Sequence, residues 1–299
     1  MTARIATTIK KFNAYQRERF PLVVLILSLI PAVLSSGIVV SLHPTIFQTC
    51  SALAASVAYL LHIRIIDEHR DFGHDNAHHV TRPIQTGVIS KEELQYVDIA
   101  AVVLLLLIAV TAGLYGVAIA AIMLIYSYLA GREFFIGEKI RQYFFIYNGV
   151  NLIQMLLMQL FVYTIFAHPF PISILVLAHF LFTTVGTVIF EFVRKIKRPG
   201  WDGTGKDTYT WYIGFNNAII TYIVLLSSNA LLFFWIIALI SSHATLWLFS
   251  SAGLAVATLS VAIVHRVKKT HQTDQLMQLS FLVLYGFFNI AIYFLKLYA

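Results

Sequence analysis

Residues 20–41 read FPLVVLILSLIPAVLSSGIVVS, a run without a single charged side chain. A helix needs about 20 consecutive apolar residues to cross the hydrocarbon core. Similar runs recur along the chain, and the expected spans are 20–41, 45–67, 94–112, 114–130, 146–166, 171–195, 210–240, 243–266 and 276–298. The seventh is long for one crossing, so it either extends past the hydrocarbon or contains a break. A backbone in lipid must satisfy its own hydrogen bonds, which leaves helices or a closed barrel. The alternating ten-residue pattern of a barrel is missing. The expected fold class is therefore all-α, a multi-pass transmembrane helical bundle of about nine helices. Composition agrees, with 59% hydrophobic and 12% charged residues, against roughly 25% charged in soluble domains. Mean hydropathy is +0.79. The reading is a single membrane-embedded domain over 1–299, opened by a basic amphipathic segment at 1–19, with no soluble domain or flexible linker. No small-residue cleavage site follows an apolar run of signal-peptide length, so the first span is expected to be retained.

The formal charge of +7 does not point to nucleic acid, because the basic residues follow the spans. The N-terminal stretch carries Arg4, Lys10, Lys11, Arg17 and Arg19. Further groups lie at Arg64–Lys91, Arg132–Arg141, Arg194–Lys206 and Arg266–Lys269. Of the 21 Lys and Arg, all but Lys296 fall on one side of a nine-span arrangement. The positive-inside rule then makes the N-terminus and these loops cytoplasmic. The expected location is a bacterial-type inner (cytoplasmic) membrane. One missed or extra span would throw the later basic loops to the wrong side, so the charge pattern supports the span count. Cys50 is the one cysteine, which excludes an internal disulfide.

The chemistry concentrates after the second span, in Arg64-Ile65-Ile66-Asp67-Glu68-His69-Arg70-Asp71-Phe72-Gly73-His74-Asp75, followed by His78, His79 and Arg82-Pro83-Ile84-Gln85-Thr86-Gly87. On a continuous helix Arg64, Glu68, Asp71 and Asp75 share one face. Carboxylates crowded at a membrane boundary need a counter-charge. Oxygen ligands with open positions suit Mg²⁺ bound to substrate phosphates, and intramembrane acids are functional candidates by default. The alternative is a helix end whose charges are wetted by the cytoplasm. Ser90-Lys91-Glu92-Glu93 has the capping-box pattern that starts a helix.

This stretch resembles the first motif of the UbiA superfamily of integral membrane prenyltransferases, N-D-x-x-D-x-x-x-D followed by R-P-x-x-x-G. Here Asp67 stands for the leading Asn and Glu68 for the first Asp; Asp71, Asp75, Arg82, Pro83 and Gly87 match. The resemblance implies nine helices with motif loops after the second and sixth. It also implies a second motif, D-x-x-x-D with G-x-x-T and a further Gly. Gly205, Thr208 and Gly214 keep that spacing. Glu191 stands for the first carboxylate, but Lys195 occupies the place of the second, and the segment before Gly205 is about six residues longer than the family pattern. Either Asp202 or Asp207 supplies the missing ligand, or this half holds one metal fewer and Arg194 and Lys195 grip the diphosphate directly. Lys197 and Arg198 read as membrane anchors. After the fourth span, Tyr126, Tyr128, Arg132, Lys139 and Arg141 resemble the tyrosine and basic residues that the family places near the diphosphate.

The implied function is transfer of an isoprenoid chain from an isoprenoid diphosphate to an acceptor, with an aromatic or quinone-precursor-like acceptor expected. The implied ligands of Mg²⁺ are Asp67, Glu68, Asp71, Asp75, Glu191 and Asp202. Arg64, Arg82, Arg132, Arg141, Arg194 and Lys195 are the implied diphosphate residues, with Asp71, Asp75 and Arg82 at the reaction. Partners are the donor, an unidentified acceptor and the lipid bilayer. Two other classes compete. His74-x-x-x-His78-His79 resembles one histidine box of membrane di-iron desaturases and hydroxylases, though the remaining histidines form no second box. A non-catalytic relative or small-molecule transporter is the other, but transporter charges gather near the midplane and these lie at a helix end. Asn148, Asn151, Gln154 and Gln159 on the fifth span are candidates for interhelical hydrogen bonds or a cavity lining.

Overall fold

The structure is a computed structural model and describes residues 2–200, 208–241 and 244–299. Its elements are α1 (Thr2–Arg19), α2 (Leu22–Val40), α3 (Ile46–Arg70), α4 (Phe72–His78), α5 (Lys91–Thr111), α6 (Gly113–Gly131), α7 (Gly137–Ile140), α8 (Phe144–Phe166), α9 (Ile174–Arg194), α10 (Tyr209–Ile213), α11 (Phe215–Ile240), α12 (Thr245–Lys268) and α13 (His271–Leu297). Among the described residues no strand occurs, and nine helices are long and apolar enough to cross a membrane: α2, α3, α5, α6, α8, α9, α11, α12 and α13. Their outer faces suit lipid. Only 22% of the α12 window is buried, and Leu107, Val110 and Leu114 are exposed.

The expected spans reappear as these nine helices. The long seventh span contains a break: α10 ends and α11 begins at Gly214, whose φ is +76°. A left-handed conformation of this kind falls to glycine because other residues meet their own Cβ. Ser90 caps α5 through the expected reciprocal box, with its hydroxyl accepting from the Glu93 amide and the Glu93 carboxylate accepting from the Ser90 amide.

The residues fall into two compact units. One comprises 1–30 and 45–169, the other 31–44 and 170–299. In the first, α3 packs on α5, α6 and α8. A buried core of Tyr15, Phe20, Ala58, Leu61, Ile65, Ile84, Ile89 and Leu94 joins α1, α3, α5 and the loop before α5. Deeper, His62 of α3 meets Asp98 of α5 at 2.7 Å and Ser127 of α6 at 2.8 Å, so one imidazole ties three helices. In the second unit α9 packs on α11 and α13. Ser35 donates to Asn289 Oδ1 at 2.6 Å and lies 3.0 Å from His179 Nε2. Polar bridges of this kind hold helices together where lipid offers no hydrophobic drive. Asn148 donates to the Phe144 carbonyl of its own helix.

Candidate active site

Each unit carries a charged cluster at a helix end. In the first unit, α3 stops at Arg70, and Asp71 (φ −90°, ψ 4°) is both its C-cap and the N-cap of α4. The expected continuous face is therefore divided, with Arg64 and Glu68 on α3, Asp71 at the joint and Asp75 on α4. The helical hydrogen bonds still run through, from the Asp71 amide to the Asp67 carbonyl and from the Asp75 amide to that of Asp71.

Four carboxylates meet four guanidiniums. Glu68, almost fully buried, accepts from Arg64 and from Arg19 Nε at 2.9 Å. Arg70 grips Asp71 with two 3.0 Å hydrogen bonds and pairs with Asp67 at 2.8 Å. Arg82 pairs with the buried Asp75. Each of the four carboxylates thus has an arginine partner.

The N-terminal helix takes part. Lys11, Tyr15 and Arg19 recur every four residues along one face of α1. Lys11 reaches Glu93 at 2.7 Å, Tyr15 donates to Glu68 at 3.4 Å, and Arg19 completes the row. Burial, with Glu68 adding, holds the Tyr15 phenol above its ordinary range, so the hydroxyl remains a donor.

The R-P-x-x-x-G segment is a compact turn. The Thr86 amide bonds the Arg82 carbonyl, and the Val88 amide that of Pro83. Gly87 takes φ +76°, which explains a glycine there. Ile84 and Ile89 anchor the turn in the core, fixing the backbone that presents Arg82. Both amide atoms of Gln85 in this turn, and Arg64 Nε on α3, are buried without a hydrogen-bond partner among the described residues. Unsatisfied buried groups of this sort are costly and mark places where a polar ligand or water is wanted.

After α6, Glu133, Phe134 and Phe135 all have positive φ, a strained run for residues carrying Cβ. Arg141 donates to Glu133 at 2.6 Å, and that hydrogen bond raises its pKa. Arg132 lies 5.8 Å from the Tyr128 ring centroid. The Tyr126 hydroxyl is committed to the Val150 carbonyl.

In the second unit, Glu191 of α9 pairs with Arg194 at 2.9 Å and Lys195 at 2.8 Å. Beyond the 201–207 segment, the Tyr209 amide bonds the Lys195 carbonyl and Thr208 caps α10. The Tyr209 ring lies 4.1 Å from that of Phe192. Burial, with Glu191 adding, pushes its pKa up to about 12. Asp202, Asp207 and Gly205 lie outside the described residues.

The sequence reading missed Arg19 and Tyr15 as partners of Glu68. It also left Arg70 without a role. The four-residue spacing of Lys11, Tyr15 and Arg19 was the signal available for the first two.

No protein-family model matches the chain, and no curated protein is significantly similar to it. Solved structures do match. A structure of digeranylgeranylglyceryl phosphate synthase is 14% identical with a TM-score of 0.64, over 97% of this chain and all of that one. A UbiA homologue from Aeropyrum pernix K1 is 14% identical with a TM-score of 0.63, over 86% of this chain and 94% of its own. A UbiA homologue from Archaeoglobus fulgidus, bound to DMAPP and Mg²⁺, is 14% identical with a TM-score of 0.52, over 92% and 98%. By its fold, this integral membrane chain is UbiA-like.

Proposed function

We propose that the chain is a UbiA-type prenyltransferase that moves an isoprenoid chain from an isoprenoid diphosphate to an acceptor, of aromatic or quinone-precursor-like chemistry. The observation that carries this reading is the first motif, Asp67 to Gly87, at the end of α3 in a chain of UbiA-like fold. The diphosphate of DMAPP in the Archaeoglobus fulgidus homologue gives the donor class.

The residues suit Mg²⁺ in part. Asp67 and Asp71 present partly exposed carboxylates, the hard oxygen donors that Mg²⁺ prefers, and Asp75 adds a third. Glu68 is enclosed by Arg64, Arg19 and Tyr15; we assign it to holding the arginines. In the second unit Glu191 is the candidate ligand, with Arg194 and Lys195 as diphosphate donors. When bound, Mg²⁺ supplies charge neutralisation for the departing pyrophosphate. Arg64 contributes an unpartnered buried Nε–H suited to an anionic oxygen, while Arg82, Arg132 and Arg141 add guanidiniums for the same anion. The apolar helices exclude water that would quench an allylic cation. The N-terminus and both motif loops are proposed to face the cytoplasm.

Replacing Asp71 by Asn tests the assignment: transfer is abolished while the protein stays folded. Retained transfer in that variant removes Asp71 from the site. A second reading, a non-catalytic relative or a transporter, draws on the same geometry, since every first-motif carboxylate already has an arginine partner.

A further inference from the structure

We infer that α4 and the residue that follows it hold a borderline divalent transition-metal ion, through His74 and Asp75 of the helix and His79 at its C-cap. One ligand atom from each lies within 4.8 Å of the others, the one such grouping of His, Cys, Asp and Glu among the described residues. Tetrahedral ligands at about 2.1 Å from an ion stand about 3.4 Å apart. Closing from 4.8 Å asks the ligand atoms to approach one another by up to about 1.4 Å.

The donor chemistry selects the ion. Two imidazoles and one carboxylate suit Zn²⁺, Co²⁺ or Fe²⁺, whereas Mg²⁺ prefers oxygen alone. The carboxylate is already oriented, because Asp75 is buried and paired with Arg82. A carboxylate has about four lone-pair sites, so Asp75 can accept from Arg82 and bind an ion at once. A hydrogen-bonded ligand of this kind is the usual outer-shell arrangement of metal sites. The backbone holds the register as well, with the His79 amide bonded to the Asp75 carbonyl at 2.8 Å. His74 is exposed, leaving one side of the ion open to water or an anionic ligand, as in sites with three protein ligands. The His78 ring lies 4.6 Å from that of His74 and faces solvent. Three ligands hold one ion; the grouping supplies no second set for a di-iron centre.

The site shares Asp75 with the proposed reaction but does not rest on it, and its test reads metal binding rather than turnover. Tag-free protein purified in detergent is titrated with Co²⁺ and followed by visible absorption, then challenged with Zn²⁺ and with millimolar Mg²⁺. The expected result is one Co²⁺ per chain, displaced by Zn²⁺ and retained in Mg²⁺. His74→Ala and His79→Ala each weaken binding by about 100-fold or more, the upper end of what outer-shell changes alone cost. His43→Ala, at an exposed position remote in sequence, leaves binding unchanged. Equal displacement by Mg²⁺, or wild-type binding in the His74→Ala, His79→Ala double variant, overturns the site.

Discussion

Replacing Glu68 by Gln removes one negative charge from the most enclosed carboxylate of the first motif. The side chain is 1% exposed, and its partners Arg19 and Arg64 are 17% and 27% exposed. Breaking a fully buried pair costs about 3–5 kcal/mol, mostly from the charge left behind. Both guanidiniums here reach water, which screens part of that penalty, so the expected loss is about 2 kcal/mol. At about 2–4 °C per kcal/mol for chains approaching this size, the melting temperature falls by about 4–8 °C. Asp71 is the internal comparison. Its side chain is 38% exposed, and Arg70, 9% exposed, keeps its pairing with Asp67 when Asp71 is neutralised; a loss of about 0–1 kcal/mol shifts melting in Asp71→Asn by about 4 °C at most. Thermal unfolding in detergent, followed by intrinsic fluorescence, reads both. Asp71→Asn is also expected to abolish transfer while remaining folded. A Glu68→Gln protein as stable as wild type, or an Asp71→Asn protein that melts as early as Glu68→Gln, refutes the division of these acids into anchor and ligand.

Other variants read the scaffold. Gly87→Ala and Gly214→Ala place a Cβ in open space, since nothing lies within 4 Å of either, yet both demand φ +76°. Each is expected to cost about 1–3 kcal/mol through backbone strain alone, read as earlier thermal unfolding, and a neutral result denies the left-handed turn. His62→Ala removes the one side chain joining Asp98 and Ser127. It is expected to destabilise the first unit by about 1–2 kcal/mol, seen as faster unfolding in denaturing detergent. The same unfolding rate as wild type discounts the three-helix bridge.

Much of the fold was legible because its signals are local. Nine apolar runs, the Ser90–Glu93 box and the long seventh span that breaks at Gly214 each declare themselves within a few residues. The spacing of Asp67, Glu68, Asp71, Asp75, Arg82 and Gly87 was legible for the same reason. The counter-charges were not. Arg19 lies 49 residues from Glu68, and nothing local says that α1 folds back so that Lys11, Tyr15 and Arg19 face acids of α3 and α5. The His62–Asp98–Ser127 bridge joins three helices across 36 and 65 residues and hides inside apolar spans. The helix stop at Arg70 was obscured because its hydrogen bonds continue through Asp71, so the four-three-four spacing reads as one face.

The central claim is prenyl transfer, and the most direct test is turnover by the purified protein. Isoprenoid diphosphates of several lengths are offered with a panel of aromatic acceptors, with and without Mg²⁺. The account predicts Mg²⁺-dependent pyrophosphate release coupled to formation of a prenylated product, lost in Asp71→Asn. Absence of binding and turnover with every donor contradicts it and leaves a UbiA-like protein that has kept the fold without the reaction.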